Sequence, residues 1–365
     1  MRINNLSLHN YRNYNNLNLS FNHNLNIFLG ENAQGKTNII EAIYFAAMGH
    51  SHRSNSDRDL INWEKKSSVI QINFERLQVL NNIRFNFFTE SSKEIILNNH
   101  QIRPKELLGA INVVLFSPED LFLIKGAPAG RRRFLDLELS QANPVYYRQL
   151  LKYNRILTQR NVLLKRIREH KAKNDLLETW DNQLATLAVE IVNKRLVAVK
   201  KLNMLSKLMH RKITSNLENL EISYDISGYD KEIPENLNSW YNNKLSDTRL
   251  IDIARGSTSI GPHRDDIIMT VNNINLRVFG SQGQQRTGVL ALKLAELEFL
   301  KSETGEYPIL LLDDVMSELD INRREQLLNF IKEKIQTFIT ATDKAYFPKK
   351  YFGKYYNVIN GTVRE

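Results

Sequence analysis

Apolar and polar residues alternate through the first part of this 365-residue chain, the period-two pattern of half-buried strands. Ile3, Leu6 and Leu8 lead to a polar turn, Leu17, Leu19 and Phe21 alternate, and residues 25–29 form a short apolar run of the kind a buried strand makes. Residues 38–48 carry apolar side chains at helical spacing. Residues 69–74 and 83–88 read as strands, 94–102 as a hairpin turning at Asn98-Asn99, and 113–116 as a buried strand stopped by Ser117-Pro118-Glu119-Asp120. From Arg131 to about residue 219 the chain becomes helical, charged and almost free of glycine and proline. Leu150, Tyr153, Leu157, Leu164 and Ile167 sit at heptad spacing. After a polar break at 170–174, Leu177, Trp180, Leu184, Leu187, Ile191, Ala198, Leu202 and Leu205 resume the repeat. Two antiparallel helices follow from this, as a short coiled-coil arm or as ordinary bundle helices. From about residue 251 the strands return: a hairpin at 267–276 around Asn272-Asn273, a helix over 286–299, an apolar strand at 309–312, a helix over 321–334 and a strand at 337–340. The pattern predicts a β-rich unit formed by 1–125 and 250–365, split by a helical lobe at 126–249.

The first chemistry lies between strand 25–29 and helix 38–48. Gly30-Glu31-Asn32-Ala33-Gln34-Gly35-Lys36-Thr37, followed by Asn38, fills the pattern G-x-x-x-x-G-K-[S/T]. Strand, glycine loop and helix are the context in which that pattern binds phosphate. Gly30 and Gly35 let the backbone curl so that successive N–H groups converge on one anion, and the helix N-terminus adds its positive end. Lys36 reaches the outer phosphates and the Thr37 hydroxyl can ligate Mg²⁺. Such a loop names a ligand class, ATP or a relative, but not a reaction.

Composition narrows the classes. With 42% hydrophobic and 25% charged residues, the chain is of globular type. It contains no cysteine, which removes disulfides, zinc–thiolate sites and thiol catalysis. The first residues lack the apolar block of a signal peptide, and no run approaches the ~18 apolar residues of a membrane span, so a cytoplasmic protein without membrane attachment is expected. Fifty basic against forty acidic side chains give a formal charge of +10, which favours polyanion partners such as nucleic acid. Many of the bases lie on the two long helices: Lys152, Arg155, Arg160, Lys165, Arg166, Arg168, Lys194, Arg195, Lys200 and Lys201. They read as a solvated face or as a binding surface.

The apolar strand at 309–312 ends in Asp313-Asp314. The first carboxylate can hold Mg²⁺ and the second can polarise the water that attacks a γ-phosphate. The GTPase base-reading pattern N-K-x-D is absent, since Asn243-Lys244-Leu245 is followed by Ser246.

Residues 310–320 resemble the Walker B strand and D-loop of the ATP-binding-cassette superfamily. Gly280-Ser281-Gln282-Gly283-Gln284-Gln285-Arg286 is similar to that superfamily's signature motif at the head of a helix. Within it the chain resembles the RecF family of bacterial recombination-mediator ATPases. The resemblance rests on Asn10-Tyr11-Arg12-Asn13-Tyr14, on Gly30 to Asn38, on Ser51-His52-Arg53, on 116–120 and on the arginine run 131–136. Residues 261–266 and 281–287 complete it. It covers nearly the whole chain. Relatives with SMC-type heads carry coiled coils hundreds of residues long, and one group a Cys-x-x-Cys hook; neither is present. Where transporter subunits carry a histidine after the last core strand, this chain has Thr342 or a near neighbour, and Ser117 stands near the place of the Q-loop glutamine.

The resemblance implies an α/β P-loop ATPase head of the ATP-binding-cassette type, with a mixed sheet and an inserted helical lobe containing a short antiparallel coiled-coil arm. It implies nucleotide contacts from Arg12, residues 30–38 and, in trans from a second subunit, Ser281, Gly283 and Gln284. Mg²⁺ would be held by Thr37 and Asp313, with Lys36 and Asp314 as the catalytic pair. An ATP-dependent homodimer would bind single-stranded, duplex and gapped DNA. It would hydrolyse ATP slowly and help RecO and RecR load recombinase in repair, replication maintenance and SOS induction. A transporter ATPase subunit and a stand-alone phosphotransferase are the alternatives.

Overall fold

The computed structural model describes residues 1–229, 236–348 and 353–365. The N-terminal stretch contains β1 (Arg2–Tyr11), β2 (Tyr14–Ser20), β3 (Leu25–Leu29), α1 (Lys36–Met48), β4 (Ser67–Arg76), β5 (Val79–Phe88), β6 (Glu94–Leu97), β7 (His100–Gln101) and β8 (Val113–Phe116). The middle contains α2 (Phe122–Lys125), α3 (Pro128–Ala142), α4 (Pro144–Arg168), α5 (Leu177–Ile213), β9 (Leu220–Asp225), α6 (Leu237–Asp247), α7 (Arg249–Arg255), β10 (Asp266–Val271), β11 (Ile274–Asn275) and α8 (Leu276–Phe279). There follow α9 (Gln282–Thr304), β12 (Ile309–Leu312), α10 (Ile321–Ile331), β13 (Thr337–Ala341), β14 (Gly353–Ile359) and β15 (Thr362–Arg364). Two compact units result, Met1–Asp120 with Lys293–Glu365, and Leu121–Leu292.

The first unit holds two sheets of six strands. One, in the order β2-β1-β4-β5-β6-β7, is antiparallel throughout. The other, β15-β14-β3-β13-β12-β8, is parallel except at β15 and draws strands from both ends of the chain. This is the mixed sheet of the expected ATPase head. Its central strands β3, β12 and β13 are buried almost throughout because both faces are covered, and β12 is a continuous apolar run. Helix α1 touches β4 and β5 of the first sheet and β8, β12 and β13 of the second. Ile39, Ile40, Ile43, Phe45 and Met48 are therefore all buried, on more than one side of the helix.

In the second unit α4 and α5 form the antiparallel hairpin, reversing over the polar break in the sequence. Leu163, Leu164, Ile167 and Leu177 close its far end, with Ile253 of α7 packed against them. Helix α7 also lies along α4, and α6 along α5. Strand β9 was not anticipated. It pairs antiparallel with β10, Asp225 opposite Asp266, and that pairing draws 250–292 into the second unit instead of the head expected from sequence. The hairpin at Asn272-Asn273 is present, both residues in left-handed backbone (φ 50° and 65°).

Two of the ten basic residues assigned to the helix faces are interior. Arg160 and Arg195 are 0% and 2% exposed. Arg160 donates to Asp181 (2.6 Å), Asp252 (2.7 Å) and the Thr258 hydroxyl (2.8 Å). Arg195 donates to Asp136 (2.7 Å), the Tyr224 hydroxyl (3.0 Å) and the Pro262 carbonyl (2.6 Å). A buried guanidinium needs this many acceptors because removal from water is expensive. The arginine run and the 261–266 block join the same interior. Arg131 grips Asp266 with two hydrogen bonds of 2.7 and 2.8 Å, and Arg132 donates to the Asp265 carbonyl at 2.8 Å. Among the described residues no helix is long and apolar enough to cross a membrane.

Candidate nucleotide site

The loop between β3 and α1 takes the curled form its glycines predict. Gly35 has φ 112°, and Ala33, without a glycine's freedom, is held at φ 64°. The positive φ of Gly35 is what calls for glycine there; a Cβ would also approach the tip of the Asn13 side chain to 2.5 Å, which could shift. Lys36 opens α1 and folds back over the loop, its Nζ donating to the carbonyls of Gly30 (2.7 Å) and Glu31 (2.6 Å). Burial lowers its pKa, while the charges of Asp314 and Asp313 pull it back upward.

The two residues expected to ligate Mg²⁺ meet although 276 positions separate them. Thr37 Oγ1 donates to Asp313 Oδ1 at 2.9 Å. The register of β12 against β13 brings in a residue that sequence reading missed. Thr340 Oγ1 donates to the same Asp313 oxygen at 2.8 Å and accepts from the Asp314 amide at 2.9 Å. Thr340 is one of two buried threonines in β13, with Thr337, and nothing local in the sequence separates the two. Thr342, the position singled out there, is exposed beyond the strand end. On the other side of β12, the Asp313 amide donates to the Phe116 carbonyl at 2.9 Å, so Ser117 follows directly beside it. Asp314 sits in left-handed backbone at φ 55°. Burial and the adjacent Asp313 carboxylate push its carboxyl upward, against Lys36.

Among the described residues no three histidines or carboxylates cluster as a dedicated metal cage. The paired Thr37 and Asp313 oxygens fit Mg²⁺ better than they fit a transition metal. That ion keeps most of its waters and is bound through one or two protein oxygens together with phosphates.

Arg12 reaches the same region from the turn after β1. It grips Glu41, a fully buried residue of α1, with two hydrogen bonds of 3.0 and 2.7 Å. Burial would raise the Glu41 carboxyl, but hydrogen bonds from Arg12 and Ser51 and the charges of Arg12 and Arg53 outweigh it and hold the pKa down. Arg53 in turn donates to Asn38 at 3.0 Å, and Asn38 donates to Asn13 at 2.8 Å. Arg12, Asn13, Asn38 and Arg53, with Asp59 and Trp63, line a cavity of about 530 Å³. The Trp63 side chain is fully exposed.

Glu31, Asn32 and Ala33 form the exposed crest of the loop, and Gln34 is turned toward protein, hydrogen-bonded to the chain's last turn. Ser281, Gly283 and Gln284 belong to the second unit, at the start of α9, which begins four residues earlier than its apolar spacing predicted. The Ser281 hydroxyl accepts from the Gln284 amide (3.2 Å) while the Gln284 side chain accepts from the Ser281 amide (3.0 Å), a reciprocal helix cap. Gln284 Nε2 also donates to Glu218 at 2.7 Å.

A family model described as the RecF/RecN/SMC N terminal domain matches residues 2–360. A DNA replication and repair protein RecF of Clostridium botulinum (strain ATCC 19397 / Type A) is 46% identical over an alignment of 372 residues that spans 100% of both chains. The protein of the same description in Halothermothrix orenii is 47% identical over 348 residues, 94% of this chain and 92% of its own. A solved structure of the recombination mediator protein RecF with ATP, described as belonging to the RecFOR pathway, matches with a TM-score of 0.91 at 36% identity, covering 99% of this chain and 96% of that one. An Smc head bound to the C-winged helix domain of ScpA matches with a TM-score of 0.59 at 16% identity over 100% of this chain and 96% of its own, a likeness of fold alone.

Proposed function

The chain belongs to the RecF family, and from that premise we propose that it is a DNA-binding ATPase of recombinational repair, whose product is a change of conformation and assembly. The observation that carries the reading is the meeting of Lys36, Thr37, Asp313 and Asp314 at the end of β3 and β12. The backbone amides of the loop and Lys36 would hold the phosphates of ATP, Lys36 exchanging its two carbonyl partners for phosphate oxygens. Thr37 and Asp313 would hold Mg²⁺, which would supply charge neutralisation at the phosphates. Asp314, its carboxyl pushed upward by burial and the adjacent Asp313 carboxylate, would orient the attacking water. ATP would join two chains, each signature closing over the other's nucleotide. The dimer would bind single-stranded, duplex and gapped DNA and act with RecO and RecR to load recombinase, which also serves replication maintenance and SOS induction.

The cavity bounded by Arg12, Asn13, Asn38, Arg53 and Trp63 adjoins the phosphate loop and has the size and lining for a base and ribose. Stacking on Trp63 would contribute about 1 kcal/mol, so Trp63→Ala should weaken ATP binding roughly fivefold, read by calorimetry. The same variant should leave the affinity for inorganic triphosphate unchanged.

The proposed function is tested by ATP turnover measured with and without duplex and gapped DNA across a salt titration. DNA should stimulate turnover, and the logarithm of its affinity should fall linearly with the logarithm of salt concentration as phosphate contacts are screened. Turnover indifferent to every DNA form would point to one of the other two ATPase classes.

A further inference from the structure

The C-terminal strand pair is built onto the phosphate loop. Strand β14 runs parallel to β3 with Asn357 opposite Leu29, so its end stands level with the start of the loop. The chain then reverses over Asn360 and Gly361, both in left-handed backbone (φ 46° and 70°), the two-residue turn that an Asn-Gly pair favours. That turn rests on Gln34. The Asn360 amide donates to Gln34 Oε1 at 2.6 Å and the Gly361 amide to the Gln34 carbonyl at 3.2 Å. The approach is close at two further points. A Cβ on Gly361 would lie 2.5 Å from the Asn13 carbonyl oxygen, and one on Gly30 would lie 2.3 Å from the Val358 carbonyl oxygen. From the opposite side Asn13 Nδ2 donates to the Gln34 carbonyl at 3.1 Å and the Tyr14 hydroxyl to the Gly35 carbonyl at 3.0 Å. The loop is gripped between the first turn of the chain and the last.

A phosphate loop binds well only if its amides already converge, and curling it costs free energy at Ala33, a non-glycine residue held in left-handed backbone. Contacts that keep the curled form without ligand raise affinity by removing that cost from the binding step. We propose that Gln34 is a positioning residue which locks the loop to the Asn360-Gly361 turn, so that the C-terminal hairpin sets how tightly the site holds a nucleoside triphosphate. The proposal rests on the ATP reading above. It assigns the Gln34 side chain to the hairpin and not to the nucleotide. Linkage then requires the converse: a bound triphosphate must stabilise the hairpin turn by the same factor.

The experiment uses the full chain, ATP·Mg²⁺, and the variants Gln34→Ala, Gly361→Ala and Asn360→Gly. Gln34→Ala removes one hydrogen bond at a partly exposed position and should fold. Gly361→Ala attacks the same contact from the other side. Asn360→Gly keeps both the backbone amide and the turn, and should bind as wild type does. The first two should bind ATP about tenfold more weakly, as loss of a hydrogen bond plus loop ordering predicts, with kcat at saturating ATP within about twofold. In the wild type, ATP should slow hydrogen exchange at the Asn360 and Gly361 amides, and this protection should vanish in Gln34→Ala. The proposal is overturned if Gln34→Ala lowers thermal stability while binding ATP normally, or if the turn amides exchange at one rate with and without ATP. A wild-type chain that binds no ATP at all would instead refute the nucleotide reading, and this proposal with it.

Discussion

Lys36→Arg should lower ATP hydrolysis by roughly two to three orders of magnitude while weakening ATP binding far less, because the substitution keeps the charge and loses the geometry. The Lys36 ammonium sits between two carbonyl oxygens at 2.7 and 2.6 Å, a cradle sized for a compact cation with rotatable donors. A planar guanidinium overfills that cradle and projects its donors in a fixed fork, so it cannot follow the γ-phosphate as charge develops on it. The lysine is also buried, with its charge favoured by Asp314 and Asp313, which makes the position sensitive to size as well as to sign. Single-turnover hydrolysis and calorimetric ATP binding, measured on the same preparation, separate the two effects. An arginine variant within tenfold of wild type in the single-turnover rate would show that Lys36 contributes charge alone. Loss of affinity with the single-turnover rate at saturating ATP unchanged would mean that it binds ground state and transition state alike.

How much of this was legible in the sequence depends on how far apart the interacting residues lie. The phosphate loop is eight consecutive residues, and the strand ending in Asp313-Asp314 is six, so local pattern was enough to find both. Thr340 reaches Asp313 only because β13 lies beside β12, and strand order is set by packing that no local pattern encodes. Gln34 reads as a ligand contact because it lies inside the loop motif; its side-chain partner, the Asn360 amide, is 326 residues away. The turn that supplies them does carry an audible signal, Asn-Gly between β-forming residues, which went unread beside the stronger motifs. Arg160 and Arg195 failed in another way. On a helix rich in surface bases, nothing local separates a solvated arginine from one that meets Asp181 and Asp252, or Asp136 and Tyr224, inside the unit. The same holds for the boundary at Leu292. The returning strand pattern looked like the head resuming, whereas β10 pairs with β9, a six-residue strand that follows a 37-residue helix with little to announce it.

Ser281→Arg should abolish ATP-dependent pairing of two chains and leave ATP binding by each chain unchanged. The hydroxyl of Ser281 caps α9 and leaves that helix's first amides gathered around a short loop, a setting suited to an anion. If that anion is a γ-phosphate carried by a second chain, an arginine at this point fills the space the phosphate must enter and cannot be displaced from it at low cost. Loss of the cap itself is worth about 1 kcal/mol, too little to unfold a helix whose later turns hold Leu290, Leu294, Leu297 and Leu300 in the interior. The contacts that hold the phosphate loop all lie within the first unit, so the variant's own site keeps its partners. Sedimentation with and without ATP·Mg²⁺ reads the result: wild type should move from monomer to dimer, and the variant should remain monomeric at an ATP occupancy matched by calorimetry. Ser281→Ala separates cap from obstruction, since it removes the hydroxyl without adding bulk and should weaken pairing only in proportion to the lost hydrogen bond. Should Ser281→Arg pair as the wild type does, the signature does not act across two chains, and ATP would have to drive assembly through another surface.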